Sequence, residues 1–401
     1  MRVTIYNPRP TSAEIKETDL RRFSLSDDIS GTLGSPYVVG LQNSKLPTTS
    51  FDQFIKRNAL DRGWEGVTYG ARNNTVGEGI HVKEAMYTGP KDLLIYYGYL
   101  NSFNSGVNGW DNELVAQDMA KYKLIFIGDG VQDPGHADYA NTQIIIARIK
   151  VINPSILLFG YVATTDVIGT FQTKVAQWNT LQVHGVMMDM AGYDYGINRV
   201  DFNTRVDYIH SRAYSKICFV NAWNPDHVLG TVNDVSYPNS TYNSGLVASQ
   251  LNSTDWLLLE SFAVNTTSYS GAGGYEAKGD WLIRGAKAVS LRATYGLSLA
   301  GSCMINNDNA GGADLFKFAY ISSLMWSLDG FGSSDTLYGA SSAAVKWWTK
   351  PDRSNIGVIW SENPVVKVHT GDSDVYFRFV EFAKFLVDFS TGAQLSSITV
   401  Y

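Results

Sequence analysis

A chain of 401 residues has room for one large domain with attachments, or for two to three ordinary ones. A formal charge of −6 drawn from only 17% charged residues, with no Lys/Arg cluster, excludes the electrostatic footprint that a nucleic-acid partner needs. No window of 18 apolar residues occurs, and the opening "MRVTIYNPRPTSAEIK" lacks the apolar core of a secretory signal, so neither membrane insertion nor classical export is expected.

Residues 1–87 carry short strand-like pieces, "VTIYN", "YVVGL" and "GVTYG", between turns such as "NPRP" and "LGSP", and one short helical pattern in "TTSFDQFIKRNAL". They read as a small β or irregular attachment domain. From residue 88 to 352 strand-like and helix-like segments alternate. "DLLIYYGYL" precedes "NELVAQDMAKY", and "KLIFIGDG" precedes a helical stretch that Pro154 ends. "SILLFGYVA" is followed by a helix with Phe171, Val175, Trp178 and Leu181 on one face.

The fourth strand, "GVMMDM", feeds a helix aligning Phe202, Val206, Ile209 and Ala213. The fifth, "KICFVNAW", is followed by a long connection over 224–255 with at most a short helix near Leu246. "WLLLESF" leads to a helix whose expected face is Leu282, Ala286, Val289 and Ala293. "GLSLAGSC" precedes "DLFKFAYISSLMWSL", and the short "DGFGS" precedes "GASSAAVKWW". Eight such alternations of continuously apolar strands predict a closed (β/α)8 TIM barrel. An open doubly wound sheet is the competitor, but "YYGYLNSFNSG" lacks the dinucleotide fingerprint after the first strand. Residues 353–401 read as a small antiparallel β domain, with Tyr376, Arg378 and Val380 on one side of "VYFRFVEF".

Three carboxylates end apolar strands: Asp129, Asp189 and Glu260 after the second, fourth and sixth. In such a barrel the carboxyl ends of the strands form the active face, and clustered carboxyls suit hydrolysis of a glycosidic bond by an acid and a nucleophile or base. Asp189 and Glu260 are the expected catalytic pair, with Asp129 holding substrate hydroxyls or a neighbour's charge; the alternatives are capping of the next loop or pairing with Arg199 or Arg205 for Asp189, and for Asp129 a turn in "GDG" in which the carboxylate bonds its own backbone. Tyr97, Tyr99, Tyr161, Tyr193, Asp194, Asn221 and Trp223 lie at strand ends or in following loops, an inventory suited to sugar rings and hydroxyls.

Cys218 and Cys303 are expected to be buried thiols, and His136, His184, His210 and His227 have no metal-binding spacing, so neither a structural zinc nor any cofactor is expected. "NNDNAGGAD" lacks the spacing of a Ca²⁺ loop, and no P-loop or GxSxG elbow occurs.

The layout of "LLIYYGYL", "IGDG", "GVMMDMAGYDYG", "LLLESF" and a helix feeding "GLSLAG", over roughly residues 90–350, resembles the TIM-barrel glycoside hydrolases typified by endo-α-1,4-polygalactosaminidase. More distantly it is similar to the α-galactosidase-like barrels. The resemblance implies a nucleophile at Asp189 and a proton donor at Glu260. Members of that group are typically secreted, whereas this chain has no signal pattern and carries β extensions on both sides, which look more like a component of a phage tail or surface particle. The expected partner is therefore a polysaccharide or surface glycan, in an extracellular or virion setting with possible homo-oligomer or particle assembly. The rival reading is a non-catalytic receptor-binding or structural barrel.

Overall fold

The structure is a computed structural model describing residues 2–6, 38–42, 89–231, 241–265, 274–306, 308, 310–335, 345–353, 366–368, 375–380, 383–389 and 395–400. The helix expected in "TTSFDQFIKRNAL" lies outside them. Two strands, β1 (Arg2–Tyr6) and β2 (Val38–Gln42), pair antiparallel.

The barrel is built from β3 (Lys91–Tyr96), β4 (Leu124–Ile127), β5 (Leu157–Ala163), β6 (Gly185–Asp189), β7 (Ile217–Asn221) and β8 (Trp256–Leu259). A two-residue antiparallel pair, β9 (Val264–Asn265) and β10 (Gly274–Tyr275), interrupts the sequence before β11 (Ser298–Met304) and β12 (Gly330–Ser334). The order β11-β12-β3-β4-β5-β6-β7-β8 closes through parallel pairing of β8 with β11, giving the expected (β/α)8 TIM barrel with flanking elements.

Strands β4 to β8 are largely apolar on both faces because one face fills the barrel and the other lies under helices. In β4, Leu124 and Phe126 point inward, where Phe126, Phe159 and Phe219 meet edge to face beside Met187, Trp256 and Leu258. Ile125 and Ile127 of the same strand are buried on the other side.

Six helices of eight residues or more surround the strands among the described residues: α1 (Asn112–Met119), α2 (Tyr139–Ile152), α3 (Ile168–Thr180), α4 (Arg199–His210), α5 (Lys278–Tyr295) and α6 (Gly312–Met325). Asp111 caps α1 by accepting from the amides of Glu113 and Leu114, and Asn198 caps α4 through the amide of Asp201. Phe171, Val175 and Trp178 are the buried face of α3, with Leu181 buried just beyond its end.

Several expectations need correction. Helix α4 stops at His210, so Ala213 lies beyond it and is exposed. Helix α5 buries Trp281, Gly285, Ala288 and Leu291 in place of the neighbouring Leu282, Ala286, Val289 and Ala293. The cause is Gly285: a Cβ there would stand 2.1 Å from Trp326 Cε2, so the missing side chain lets α5 settle onto that indole, with Trp281 beside it. Leu246 has φ +50° in a stretch without helix. Residues 345–350, the described end of "GASSAAVKWW" and its continuation, are also non-helical.

The chain divides into a barrel unit, Gly89–Lys350, and a second unit containing the remaining strands. In the latter, β13 (Val366–Val368), β14 (Val375–Val380), β15 (Ala383–Asp388) and β16 (Leu395–Val400) form an antiparallel sheet in sequence order. Tyr376, Arg378 and Val380 share its buried face.

Candidate active site

Side chains alternate along a strand, so whichever parity fills the barrel also delivers its strand-end residues to the mouth. Leu157, Phe159 and Tyr161 follow one another inward on β5, and Ile217, Phe219 and Asn221 do so on β7. Asp189 continues the line of Met187 on β6, and Glu260 that of Trp256 and Leu258 on β8. Tyr97 likewise continues Leu93 and Ile95.

Asn221 joins the two central carboxylates. Its Nδ2 donates to Asp189 Oδ1 at 2.8 Å and to Glu260 Oε2 at 2.9 Å, and its side chain is buried. Tyr161 donates its hydroxyl to Asp189 Oδ2 at 2.8 Å. Burial, and then the charge of Asp189, hold the Tyr161 phenol far above its ordinary pKa, so it stays a donor. Asp189 is thus fixed by two donors and half-buried, whereas Glu260 has one side-chain donor here and is exposed.

Neighbouring backbone reinforces this arrangement. Trp178 Nε1 donates to the Tyr161 carbonyl at 3.0 Å, and the Ala191 amide donates to the Asn221 carbonyl at 3.1 Å, tying the ends of β6 and β7 together. Met190 and Ser261, each directly after a central carboxylate, have φ of +54° and +51°. Left-handed backbone at residues with side chains costs about 1–3 kcal/mol each and persists where surrounding bonds over-determine it. Arg284 supplies such bonds after β8, donating to the carbonyls of Glu260 and Ser261 and pairing with buried Glu276 at 2.7 Å.

Neither Asp189 nor Glu260 forms an ion pair among the described residues. Arg199 and Arg205, the candidate partners of Asp189, donate instead to backbone carbonyls: Arg199 to Val247, Asp226 and His227, and Arg205 to Asp201 and Asp166. Asp129 differs. Its Oδ2 meets Lys174 Nζ at 2.6 Å, and its Oδ1 accepts from the amide of Gly130 and from Gln132, both at 2.9 Å. Lys174 also pairs with Asp166 at 2.8 Å. Asp129 is therefore a turn and ion-pair residue, since the inward position of its strand falls on Gly128, where a Cβ would lie 2.5 Å from Tyr97 Cα.

Of the expected substrate contacts, Tyr97, Tyr99 and Trp223 present exposed rings, Trp223 being 60% exposed with the Arg284 guanidinium 5.3 Å from its centroid. Tyr97 meets Tyr161 edge to face at 5.4 Å, and Tyr99 meets His136 similarly at 4.9 Å. Tyr193 does not offer a ring to a ligand: it is 1% exposed and stacked between His227 and Tyr242 at 4.3 and 5.2 Å. Asp194 approaches His227 Nδ1 at 3.7 Å and serves that same stack. Asn221 and Tyr161 hold carboxylates, a role sequence reading missed, although the alternation that sends both inward was visible in it.

Both cysteines are free and buried, as expected. The described residues contain one group of His, Cys and acidic side chains close enough to share an ion, His210, Cys218 and Asp255, at the opposite ends of β7 and β8. Among the described residues no helix is long and apolar enough to cross a membrane.

No protein-family profile and no curated protein matches the chain. Solved structures similar to it include the glycoside hydrolase domain of PelA from Pseudomonas aeruginosa, 10% identical over 64% of this chain and 100% of that one, at a TM-score of 0.41. Another is the endo-β-1,4-glucanase Xac0029 from Xanthomonas axonopodis pv. citri, 10% identical over 66% and 93% of the two chains, TM-score 0.39. A third is the N-acetylneuraminate lyase from Mycoplasma synoviae, 9% identical over 61% and 68%, TM-score 0.33. These distant likenesses concern the course of the chain and assign no activity.

Proposed function

We propose that this chain is a glycoside hydrolase acting on a microbial surface or extracellular polysaccharide with retention of configuration. The observation that carries the reading is the single Asn221 amide shared by Asp189 and Glu260. Two oxygens at these distances from one nitrogen lie less than about 6 Å apart, near the about 5–5.5 Å of retaining enzymes and below the about 6.5–9.5 Å that accommodates a water in inverting ones.

Asp189, oriented by two donors, attacks the anomeric carbon while Glu260 gives its proton to the departing glycosidic oxygen. A glycosyl ester of Asp189 results. Water then attacks the same carbon, Glu260 takes its proton, and the Asp189 carboxylate leaves. Glu260, with a single side-chain donor and an exposed position, can reach both oxygens in turn. The exposed rings of Tyr97, Tyr99 and Trp223 suit the apolar faces of sugars.

The test is reducing-sugar release from a panel of bacterial capsules and exopolysaccharides, galactosaminoglycan included, by wild type and by Glu260→Gln. Release that vanishes in the variant, with the first-formed anomer matching the substrate by NMR, is the expected result. Binding without release by both proteins would reject catalysis and favour a glycan-binding, receptor-type barrel.

A further inference from the structure

At the end of the barrel opposite the carboxylates, three unlike side chains converge on one nitrogen. His210 is the last residue of α4, Cys218 the second of β7, and Asp255 immediately precedes β8. Cys218 is out of step with the inward Phe219 and Asn221, and so turns away from the barrel interior. Both Asp255 carboxylate oxygens stand 3.1 Å from His210 Nε2, and Cys218 Sγ stands 3.7 Å from that same atom.

A nucleophilic Cys-His-Asp relay would place thiol and carboxylate on different ring nitrogens, so that one takes the proton while the other orients the ring. Here both lie on Nε2. Cys218 is also fully buried, which denies a substrate access to its sulfur. A His–Asp ion pair would account for two of the three groups and leaves the thiol without a part.

A metal ion accounts for all three. With Zn–N of about 2.0–2.1 Å, Zn–O of about 2.0–2.2 Å and Zn–S of about 2.3 Å, tetrahedral ligand atoms are separated by about 3.2–3.7 Å. The 3.1 and 3.7 Å separations around His210 Nε2 are close to those edges, and the three ligand atoms lie within 4.8 Å of one another. Asp255 is already oriented by the amides of Cys218 and Asn252, each 2.8 Å from a carboxylate oxygen, the kind of outer bonding that fixes a metal ligand. His210 is partly exposed, leaving a path for the ion, and the Asn252 side-chain amide stands 3.5 Å from Nε2.

The geometry points to a divalent-metal site of the borderline-soft class, zinc or cobalt in type, formed by His210 Nε2, Cys218 Sγ and the Asp255 carboxylate. Binding transfers the thiol proton to solvent and fastens the end of α4 to the starts of β7 and β8. Cys218 lies three residues before Asn221, about 10 Å along the same strand, so the ion reaches no sugar at the mouth.

The test is titration of the reduced, chelator-stripped full chain with Co²⁺. One equivalent should give a thiolate-to-cobalt charge-transfer band with intense tetrahedral visible bands, all bleached by Zn²⁺, and Zn²⁺ should raise the thermal midpoint. Cys218→Ser should abolish the charge-transfer band, whereas Cys303→Ser, altering the other buried thiol, should keep it. His210→Gln, at a partly exposed helix end where folding is least at risk, should weaken zinc binding by more than the about 10–100-fold that loss of an outer partner costs. A wild-type chain without the thiolate band, or a band that survives in Cys218→Ser, overturns the site.

Discussion

Asp129 and Asp189 both end an apolar run in sequence, yet the barrel treats them oppositely. Asp189 sits on the strand parity that fills the interior, arrives at the mouth, and is held only by neutral donors, Tyr161 and Asn221. Asp129 is one residue out of step, with Gly128 in the inward place, and is drawn to Lys174 on α3. A carboxylate at the end of a barrel strand is thus a candidate for chemistry only if its parity matches the residues packed in the barrel below it.

The sharpest test of that contrast is at the central pair. Glu260→Gln should lower kcat by about 10²–10⁴-fold, the contribution typical of a positioned acid or base, and Asp189→Asn, which removes the nucleophile, by at least as much, with the fold intact by circular dichroism. Next comes Asn221→Ala, which removes the donor common to both carboxylates. Misplacing them should cost about 100-fold in kcat with little change in KM. A merely structural role for Asn221 would instead lower the thermal midpoint and leave kcat of the folded protein largely unchanged.

A smaller effect is expected from Tyr161→Phe, which deletes one hydrogen bond to a charged group, worth about 1.5 kcal/mol or roughly tenfold in kcat. Smallest is Asp129→Asn. It should leave kcat within about twofold and cost at most about 1 kcal/mol of stability, less in high salt, since Lys174 and Asp129 are partly solvated. A hundredfold loss of activity in Asp129→Asn would break the comparison outright.

Much of this was legible in the residues. Most barrel strands follow from apolar runs, the eighth, the short "DGFGS", from its place in the alternation, and Asp189 and Glu260 from their positions at the ends of two of them. The buried face of α5 was not legible, because Gly285 and Ala288 carry little hydrophobic weight and their value lies in admitting the Trp326 ring. Nor was the fate of Tyr193, an aromatic in a polar loop that a histidine and a second tyrosine from later loops enclose.

What the sequence by itself determined is the periodic part: strand and helix alternation, hence the barrel, and the delivery of polar residues to strand ends, because these depend on spacing within single segments. What only the tertiary structure decided is which side chains meet. The Asn221 bridge spans 32 and 39 positions, and the His210, Cys218 and Asp255 group draws on a helix end, a strand start and a turn. Such meetings depend on the closure and register of the sheet, which bring together residues whose separation along the chain carries no periodic signal.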